Sequence, residues 1–314
     1  GKGWRSTYLM ICCHALSEKD VDSRVRDFLP VVEMLHTGSL IIDDIQDGSL
    51  LRRSQPALHT QIGEALAINV GNFLYFLPLI IIRKARWLSE TQRLAIYDHV
   101  TVALRQGHIG QALDLAYAKG RDELADRLTR FEQTRDELTE QYRLKTGSQL
   151  EAVARIAGVI TQAPQHLIDA IAEYSRVFGV VFQIIDDLID IQEGRERLGK
   201  HEGEDIRNSK LNMVLLHALS SLAEADRERL IQMIVDADDR EACLKIGEII
   251  QETAAIDECI AFSEDMMDTA WRGLDPLPLT DSKVILRSVP QWLLNQRKMR
   301  RSESTCGTSK GARR

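Results

Sequence analysis

Residues 36–53 join an apolar run to three aspartates and two adjacent arginines. Asp43 and Asp47 are four residues apart, so on a helix their carboxylates project from one face about one turn apart. The preceding run predicts buried helix, and acids at its end are costly to bury without positive partners. Mg2+ is commonly held by one or two carboxylates together with substrate phosphates. The segment therefore predicts a diphosphate site.

The same pattern recurs in the second half of the chain. Residues 179–191, GVVFQIIDDLIDI, carry Asp186, Asp187 and Asp190 at the end of another apolar run. One such motif is compatible with a solvated helix end, but two copies after runs that would bury them argue against that explanation. Carboxylate metal sites in helical bundles are built from facing helices. We therefore expect the motifs to face each other across a central cavity and to hold one diphosphate through several Mg2+ ions.

Apolar periodicity predicts an all-α fold. Helical spacing extends over residues 21–38, 90–115, 123–145 and 164–191, and alternating strand-like runs are lacking. Prolines fall where helices should begin or end, namely Pro56, Pro164, Pro276, Pro278 and Pro290. The 314 residues and 44% apolar content suit one large core. We predict a single-domain bundle of antiparallel helices over residues 1–295, followed by a basic, disordered tail over 296–314.

Composition limits the possible partners. A net charge of −7 argues against nucleic acid. Five cysteines without C-x-x-C spacing predict reduced thiols and a cytoplasmic protein. The longest apolar run, residues 73–82, contains Pro78 and stops at Arg83, which predicts no transmembrane segment. No signal peptide is visible, and the chain opens at Gly1 without Met.

The paired motifs resemble those of the trans-isoprenyl diphosphate synthases, the polyprenyl synthetase family that includes farnesyl and geranylgeranyl diphosphate synthases. The resemblance covers roughly residues 1–212, with Asp43-Asp44-Ile45-Gln46-Asp47 before Arg52-Arg53 and FQIIDDLID at 182–190. It implies the isoprenoid synthase fold and a homodimer. It also implies a reaction in which a dimethylallyl, geranyl or farnesyl diphosphate ionises and isopentenyl diphosphate attacks the carbocation.

The resemblance also implies site residues. Asp43, Asp47 and Asp186 would be the principal ligands of about three Mg2+ ions, supported by Asp44, Asp187 and Asp190. The cations that stabilise the leaving diphosphate would be Arg52, Lys145, Lys200 and Lys210. Thr146 and Gln183 would lie beside the carbocation. The isopentenyl diphosphate ligands would be Lys2, Arg5, His36 and Arg53. Gln111 and Asp114 match another family element but are read equally well as interhelical hydrogen bonds.

Product length follows from the walls of the hydrocarbon pocket. Gly38 and Ser39 lie one turn or more below Asp43, where farnesyl diphosphate synthases place an aromatic residue. Small residues there would let a longer chain pass. By resemblance to geranylgeranyl diphosphate synthases, the floor would be Tyr75, Phe76 and His108, which favours a C20 product. An aromatic pair at this spacing is also typical of an ordinary core.

Some features depart from the family pattern, and other functions remain open. Ser6, Ser54 and Leu211 stand where Pro, Gly and a small polar residue are common. A terpene cyclase on the same scaffold would need the aspartates but not the isopentenyl pocket. A farnesyl diphosphate synthase would stop one addition earlier. A noncatalytic regulatory subunit would tend to lose acids, and both motifs are intact.

Overall fold

The structure is a computed structural model that describes residues 3–18, 21–116, 121–192, 210–237 and 240–308. In this part of the chain it is helical apart from one short hairpin, which confirms the all-α prediction. The N-terminal helices are α1 (Trp4–Leu16), α2 (Asp22–Asp47), α3 (Leu58–Ile62), α4 (Glu64–Lys84) and α5 (Glu90–Ala116). Strands β1 (Leu51–Arg52) and β2 (Gln55–Pro56) form an antiparallel hairpin between α2 and α3.

The second half continues the bundle. It comprises α6 (Arg121–Thr129), α7 (Phe131–Tyr142), a π-helical turn (Arg143–Gly147), α8 (Ser148–Thr161), α9 (Gln165–Gln192), α10 (Met213–Ser221), α11 (Glu224–Val235), α12 (Arg240–Glu252), α13 (Ala255–Arg272) and α14 (Asp281–Thr308). The helix predicted over 123–145 is therefore interrupted at Arg130. The two aspartate motifs lie at the C-terminal ends of α2 and α9, as their apolar periodicity predicts.

Prolines mark helix ends less regularly than predicted. Pro164 directly precedes α9, and Pro276 and Pro278 lie in the connection before α14. Pro290 was expected at a helix end, but it lies inside α14. Proline removes one backbone donor and disfavours helix interiors, yet a long helix with tertiary contacts on both sides of it tolerates that cost. The prediction at Pro290 is therefore wrong.

Close backbone contacts fix three elements of the interior relative to one another. A Cβ added to Gly110 of α5 would lie 2.4 Å from the backbone nitrogen of Lys145. A Cβ added to Gly179 of α9 would lie 2.5 Å from the Cα of Gly147. Both distances are far inside van der Waals contact, so only glycine fits at these positions. The π-helical turn is thereby held between α5 and α9.

The basic segment after residue 295 is not a frayed tail over its first part, because α14 continues to Thr308. Arg297 is buried, and Arg301 donates hydrogen bonds to the carbonyls of Gln251 and Thr253 at the end of α12. Lys298 pairs with Glu264 at 2.6 Å. The predicted disorder is wrong for 296–301, because these cations find carbonyl and carboxylate partners on neighbouring helices. Residues 309–314 lie outside the described residues.

Helix α4 bears on two further predictions. The apolar run 73–82 belongs to a 21-residue helix whose length and apolar composition would suffice to cross a membrane, with 28% of its most apolar window buried. Core helices of soluble proteins meet the same criteria of length and composition. The prediction of no transmembrane segment rested on the short length of the apolar run, and that reason does not hold for the 21-residue helix. Cys12, Cys13 and Cys259 are buried and form no disulfide in the described part of the chain, in agreement with the predicted reduced thiols.

Candidate active site

The first aspartate motif is followed by a tight hairpin that returns an arginine to it. Helix α2 ends at Gly48, whose φ of 67° is left-handed. The hairpin then brings Arg52 back, so that its Nε donates to Asp44 Oδ1 at 2.6 Å. Its Nη2 also contacts Asp44 and reaches Asp43 at 3.5 Å. Asp44 is 3% exposed, so its placement against Arg52 is that of a buried ion pair.

Two lysines form ion pairs with the other two acids of the motif, Asp43 and Asp47. Lys145 of the π-helical turn lies 3.5 Å from Asp43, and Lys210 lies 2.6 Å from Asp47. The two ammonium groups share Asp114 of α5, at 2.9 Å and 3.1 Å. The predicted leaving-group cations Lys145 and Lys210 are thus brought together with Arg52 around the first motif.

Charges around these groups shift several pKa values. Burial would raise the pKa of Asp114, but Lys145 and Lys210 hold it below its ordinary value. Burial opposes protonation of Lys145, yet Asp43 and Asp114 raise its pKa and keep it charged. Burial and then repulsion from Asp43 raise the pKa of Asp47 to about 6, although Lys210 opposes the shift. At Asp47, burial and repulsion thus outweigh the ion pair with Lys210.

Two glutamines complete this cluster. Gln111 Nε2 donates to Asp43 at 3.1 Å and to Gln46 at 2.9 Å. Gln141 Nε2 donates to Asp114 at 2.7 Å. Gln111 and Asp114 do make interhelical hydrogen bonds, and they make them to the site itself. The interpretation as interhelical hydrogen bonds is therefore confirmed, and the family role of this element stays a prediction.

A second cluster consists of Arg5 at the start of α1, His36 in α2 and Arg53 at the tip of the hairpin, and its net charge is positive. Burial lowers the pKa of Arg5 to about 10, Glu33 opposes this shift, and Arg53 adds to it by repulsion. Burial lowers the pKa of His36 to about 2, and Arg5, Arg53 and Arg52 lower it further. His36 is therefore neutral at working pH. The Nε atom of Arg5 is buried and has no hydrogen-bond partner in the described part of the chain.

Arg53 is presented by a strained turn. Arg53 and Ser54 link the two strands, and both have positive φ, at 55° and 63°. Two such residues form the type of two-residue hairpin turn that normally contains glycine. The departure at Ser54 noted in the sequence is thus a residue held in a left-handed conformation. Strain of this kind is maintained where neighbouring structure fixes the backbone.

The second motif is largely enclosed. Asp187 and Asp190 are buried, whereas Asp186 is partly exposed and is the accessible acid of the three. Asp187 accepts hydrogen bonds from the hydroxyl of Tyr142 at 2.5 Å and from Gln183 Nε2 at 3.3 Å. Gln183 Oε1 in turn accepts from Thr146 at 2.9 Å. The pair predicted beside the carbocation, Thr146 and Gln183, is therefore in direct contact.

No group of three or more His, Cys, Asp or Glu side chains is gathered around a common point in the described residues. The acids of the first motif contact lysines and an arginine instead. Carboxylate oxygens are nevertheless the donors that Mg2+ takes. The raised pKa of Asp47 beside Asp43 is the electrostatic cost that a divalent cation would remove. Asp43 and Asp47 have the chemistry to hold Mg2+, in which case Lys145 and Lys210 would turn to phosphate oxygens. The assignment of Asp186 as a further ligand stays a prediction.

The residues predicted to set product length have two different roles. Gly38 is buried against α4, and an added Cβ would lie 2.8 Å from the carbonyl oxygen of Gly71. Its small size serves close packing of α2 on α4, so the interpretation of Gly38 as open space for a hydrocarbon is wrong. Ser39 donates to the carbonyl of His36 at 2.8 Å.

The predicted aromatic floor is only partly assembled. Tyr75 and His108 form an edge-to-face pair with ring centroids 5.4 Å apart. Burial and then Asp43 raise the pKa of Tyr75 to about 12, so Tyr75 lies within electrostatic reach of the first motif. Phe76 is 65% exposed and therefore does not close a pocket within one chain. The prediction for Phe76 is therefore wrong for the single chain.

Lys2 and Lys200 lie outside the described residues. Sequence reasoning missed Tyr142, Gln141 and the packing glycine Gly110. Gly110 directly precedes Gln111, so a glycine next to that element was a usable signal. Tyr142 and Gln141 carried no pattern that separates them from an ordinary buried face.

Comparison with known proteins identifies the family. A profile described as polyprenyl synthetase matches residues 1–252. A short chain isoprenyl diphosphate synthase of Methanothermobacter thermautotrophicus is 30% identical over 266 residues, which cover 84% of this chain and 78% of that protein. A geranylgeranyl diphosphate synthase of Methanosarcina mazei is 31% identical, over 72% of this chain and 66% of that protein.

Solved structures share the fold. Geranylgeranyl pyrophosphate synthetase from Pyrococcus horikoshii has a TM-score of 0.77 and 24% identity, over 94% of this chain and 86% of that chain. A decaprenyl diphosphate synthase from Rhodobacter capsulatus has a TM-score of 0.78 and 22% identity over the same shares. The expected isoprenoid synthase fold is confirmed. The chain belongs to the polyprenyl synthetase family of trans-isoprenyl diphosphate synthases, which condense isopentenyl diphosphate with an allylic diphosphate.

Proposed function

We propose that this protein is a Mg2+-dependent prenyltransferase that makes a linear product, geranylgeranyl diphosphate, from isopentenyl diphosphate and an allylic diphosphate. One observation carries the proposal. The acids of the first motif hold Arg52, Lys145 and Lys210, while a separate positive cluster of Arg5 and Arg53 adjoins them through His36. The first surface suits a diphosphate with metal ions, and the second suits a diphosphate without them.

Ionisation of the allylic substrate is the task of the first surface. The bond between the allylic carbon and oxygen breaks, and the diphosphate leaves with the electron pair. Arg52, Lys145 and Lys210 neutralise the charge that develops on its oxygens. Mg2+, about three ions per site, would add Lewis-acid stabilisation of the same leaving group. The dipoles of Thr146 and Gln183, which are hydrogen-bonded to each other, would stabilise the carbocation.

Condensation requires the second surface. Arg5 and Arg53 would bind the diphosphate of isopentenyl diphosphate, since guanidinium groups pair with phosphate oxygens through two parallel hydrogen bonds. Neutral His36 would add a hydrogen bond without charge. The double bond of this substrate attacks the carbocation, and loss of a proton restores a double bond in a product five carbons longer. A terpene cyclase has no need of this second cluster, which favours condensation over cyclisation.

A C20 product is supported by the pair of Tyr75 and His108, which lies on the two helices that flank the first motif. The name of the Methanosarcina mazei relative agrees with that length. The family also contains longer-chain synthases such as the decaprenyl enzyme of Rhodobacter capsulatus, so family membership does not fix the product length. The proposal of a C20 product therefore depends on the contact between Tyr75 and His108.

A homodimer is supported by an uncovered apolar surface on α4. Leu66, Phe73, Phe76 and Ile80 are each at least 40% exposed and recur at helical spacing. A contiguous apolar stripe of this kind marks an interaction surface. A second copy of the chain would cover this surface and would bury Phe76. Light scattering of the purified protein should give twice the mass of one chain.

Incubation with Mg2+, isopentenyl diphosphate and each allylic diphosphate in turn, followed by sizing of the products, tests the proposal. We expect linear C20 diphosphate. Product that stops at C15 would identify a farnesyl diphosphate synthase, and a cyclic hydrocarbon would identify a terpene cyclase. No product from any primer would contradict the proposal and favour a regulatory subunit.

A further inference from the structure

A buried tyrosine connects the second aspartate motif to the segment that carries Lys210. The hydroxyl of Tyr142 donates to Asp187 at 2.5 Å and accepts from the backbone N–H of Met213 at 3.0 Å. Tyr142 is 3% exposed. Its hydroxyl therefore uses both its donor and an acceptor position inside the protein.

The two partners of this hydroxyl belong to different parts of the site. Asp187 follows Asp186 directly on α9, and Met213 begins α10 three residues after Lys210. Tyr142 itself is the last residue of α7, immediately before the π-helical turn that presents Lys145. One side chain thus meets three of the segments that supply groups to the leaving diphosphate, the others being the end of α2 and the hairpin that carries Arg52.

The surroundings of Asp187 point to a role in placement. Asp187 is 3% exposed, and the hydroxyl of Tyr142 and the amide of Gln183 both donate to it. The start of α10 is fixed independently by Asn212, whose side chain accepts from the N–H of Leu215 at 2.9 Å. Displacing Met213 would therefore move a rigid segment rather than one residue.

We propose that Tyr142 is a positioning residue, which holds the Lys210 segment in register with the second aspartate motif so that both meet one diphosphate. This inference rests on the proposed function. Tyr142 touches neither substrate nor metal in this role. Its effect passes through Asp187 on one side and through the backbone leading to Lys210 on the other.

The test compares two buried tyrosines of the same chain. Tyr142→Phe removes the linking hydroxyl, and Tyr174→Phe removes a hydroxyl that donates to the carbonyl of Leu286 at 2.5 Å, away from the site. Tyr174 is 1% exposed, so the two variants are matched in burial and in chemistry. Each is assayed well below the lower of the two melting temperatures for kcat, KM and Mg2+ requirement. The shift in melting temperature on adding Mg2+ with inorganic diphosphate is measured as a readout that does not depend on turnover.

We expect both variants to melt earlier than the wild type, but only Tyr142→Phe to lose function selectively. Its kcat/KM for the allylic diphosphate should fall about tenfold or more, as when a partner of a metal ligand is removed, and Tyr174→Phe should stay close to wild type. Stabilisation by Mg2+ and inorganic diphosphate should shrink only in Tyr142→Phe. Equal behaviour of the two variants would overturn the inference alone. A wild type that gives no product and no response to Mg2+ and diphosphate would overturn the proposed function as well.

Discussion

Replacement of Asp114 by asparagine tests how the charged side chains of the site hold one another in place. The side chain keeps its size, and its carbonyl oxygen still accepts the hydrogen bond from Gln141. What is lost is the negative charge that Lys145 and Lys210 share at 2.9 Å and 3.1 Å. The side chains of these three charged residues are 10–22% exposed, so solvent compensates for the loss only weakly.

The size of the effect follows from these distances. At an effective dielectric constant of about 20, unit charges about 3 Å apart attract by roughly 5 kcal/mol. Each lysine keeps a second carboxylate, Asp43 at 3.5 Å or Asp47 at 2.6 Å, which offsets part of this loss. Removing one partner from a buried ion pair costs about 3–5 kcal/mol. We expect Asp114→Asn to lower the free energy of unfolding by about 3 kcal/mol, at the low end of that range.

Urea denaturation of the wild type, Asp114→Asn and the control Asp169→Asn measures this change in the free energy of unfolding. Asp169 pairs with Arg155 at 2.9 Å, but its side chain is 53% exposed, so its loss should cost under about 1 kcal/mol. Because the pKa of Asp114 is lowered, its contribution is present above the ordinary aspartate pKa and is lost as pH falls through the lowered value. The gap between wild type and Asp114→Asn should therefore be present at about pH 7 to 8 and narrow below about pH 4. An effect no larger than that of Asp169→Asn would refute the shared-carboxylate account.

Further predictions concern the metal ligands, the hairpin and product length. Asp43→Ala or Asp186→Ala should lower turnover by about 10²-fold or more, and near-normal rates with Mg2+ would contradict their assignment. Ser54→Gly should raise the free energy of unfolding by about 1 kcal/mol in thermal or urea melts, because glycine adopts positive φ without strain; an unchanged stability would show that the turn is not strained. Tyr75→Ala should lengthen the product as sized by chromatography. Phe76→Ala should leave the length unchanged and weaken the dimer in light scattering, and the reverse pattern would overturn both assignments.

The sequence predicts the fold well where the prediction rests on the helical spacing of apolar residues. Asp43 and Asp186 stand at the ends of apolar runs, and the period of those runs alone places them at the ends of α2 and α9. Lys145 and Lys210 were named by family resemblance, as ligands of the leaving diphosphate. The structure shows them paired with Asp43 and Asp47, which the sequence did not predict.

Sequence reasoning fails where a residue's role depends on another helix. Gly38 was interpreted by its size alone, yet its size is required by the carbonyl of Gly71 on α4. Tyr142 is an ordinary buried aromatic by pattern, and only the fold brings its hydroxyl to Asp187 and Met213. Contacts between distant parts of the chain have no local signature.

Composition alone wrongly predicts disorder in the C-terminal segment, because the partners of its cations lie on other helices. Residues from 296 onward are basic and polar, which is typical of disorder. Arg301 nevertheless caps α12 through the carbonyls of Gln251 and Thr253. Free carbonyls at a helix end attract cationic side chains, but which helix end lies within reach is set by the packing of α14.

The central claim is that two diphosphates bind adjoining surfaces, one with Mg2+ and one without it. Calorimetric titration of isopentenyl diphosphate, and separately of a non-ionising allylic diphosphate analogue, each with and without Mg2+, tests this most directly. We predict that isopentenyl diphosphate binds in the absence of Mg2+ and weakens in Arg5→Gln, whereas the allylic analogue requires the metal and weakens in Asp43→Ala. Binding of both ligands with the same dependence on Mg2+ would contradict the account.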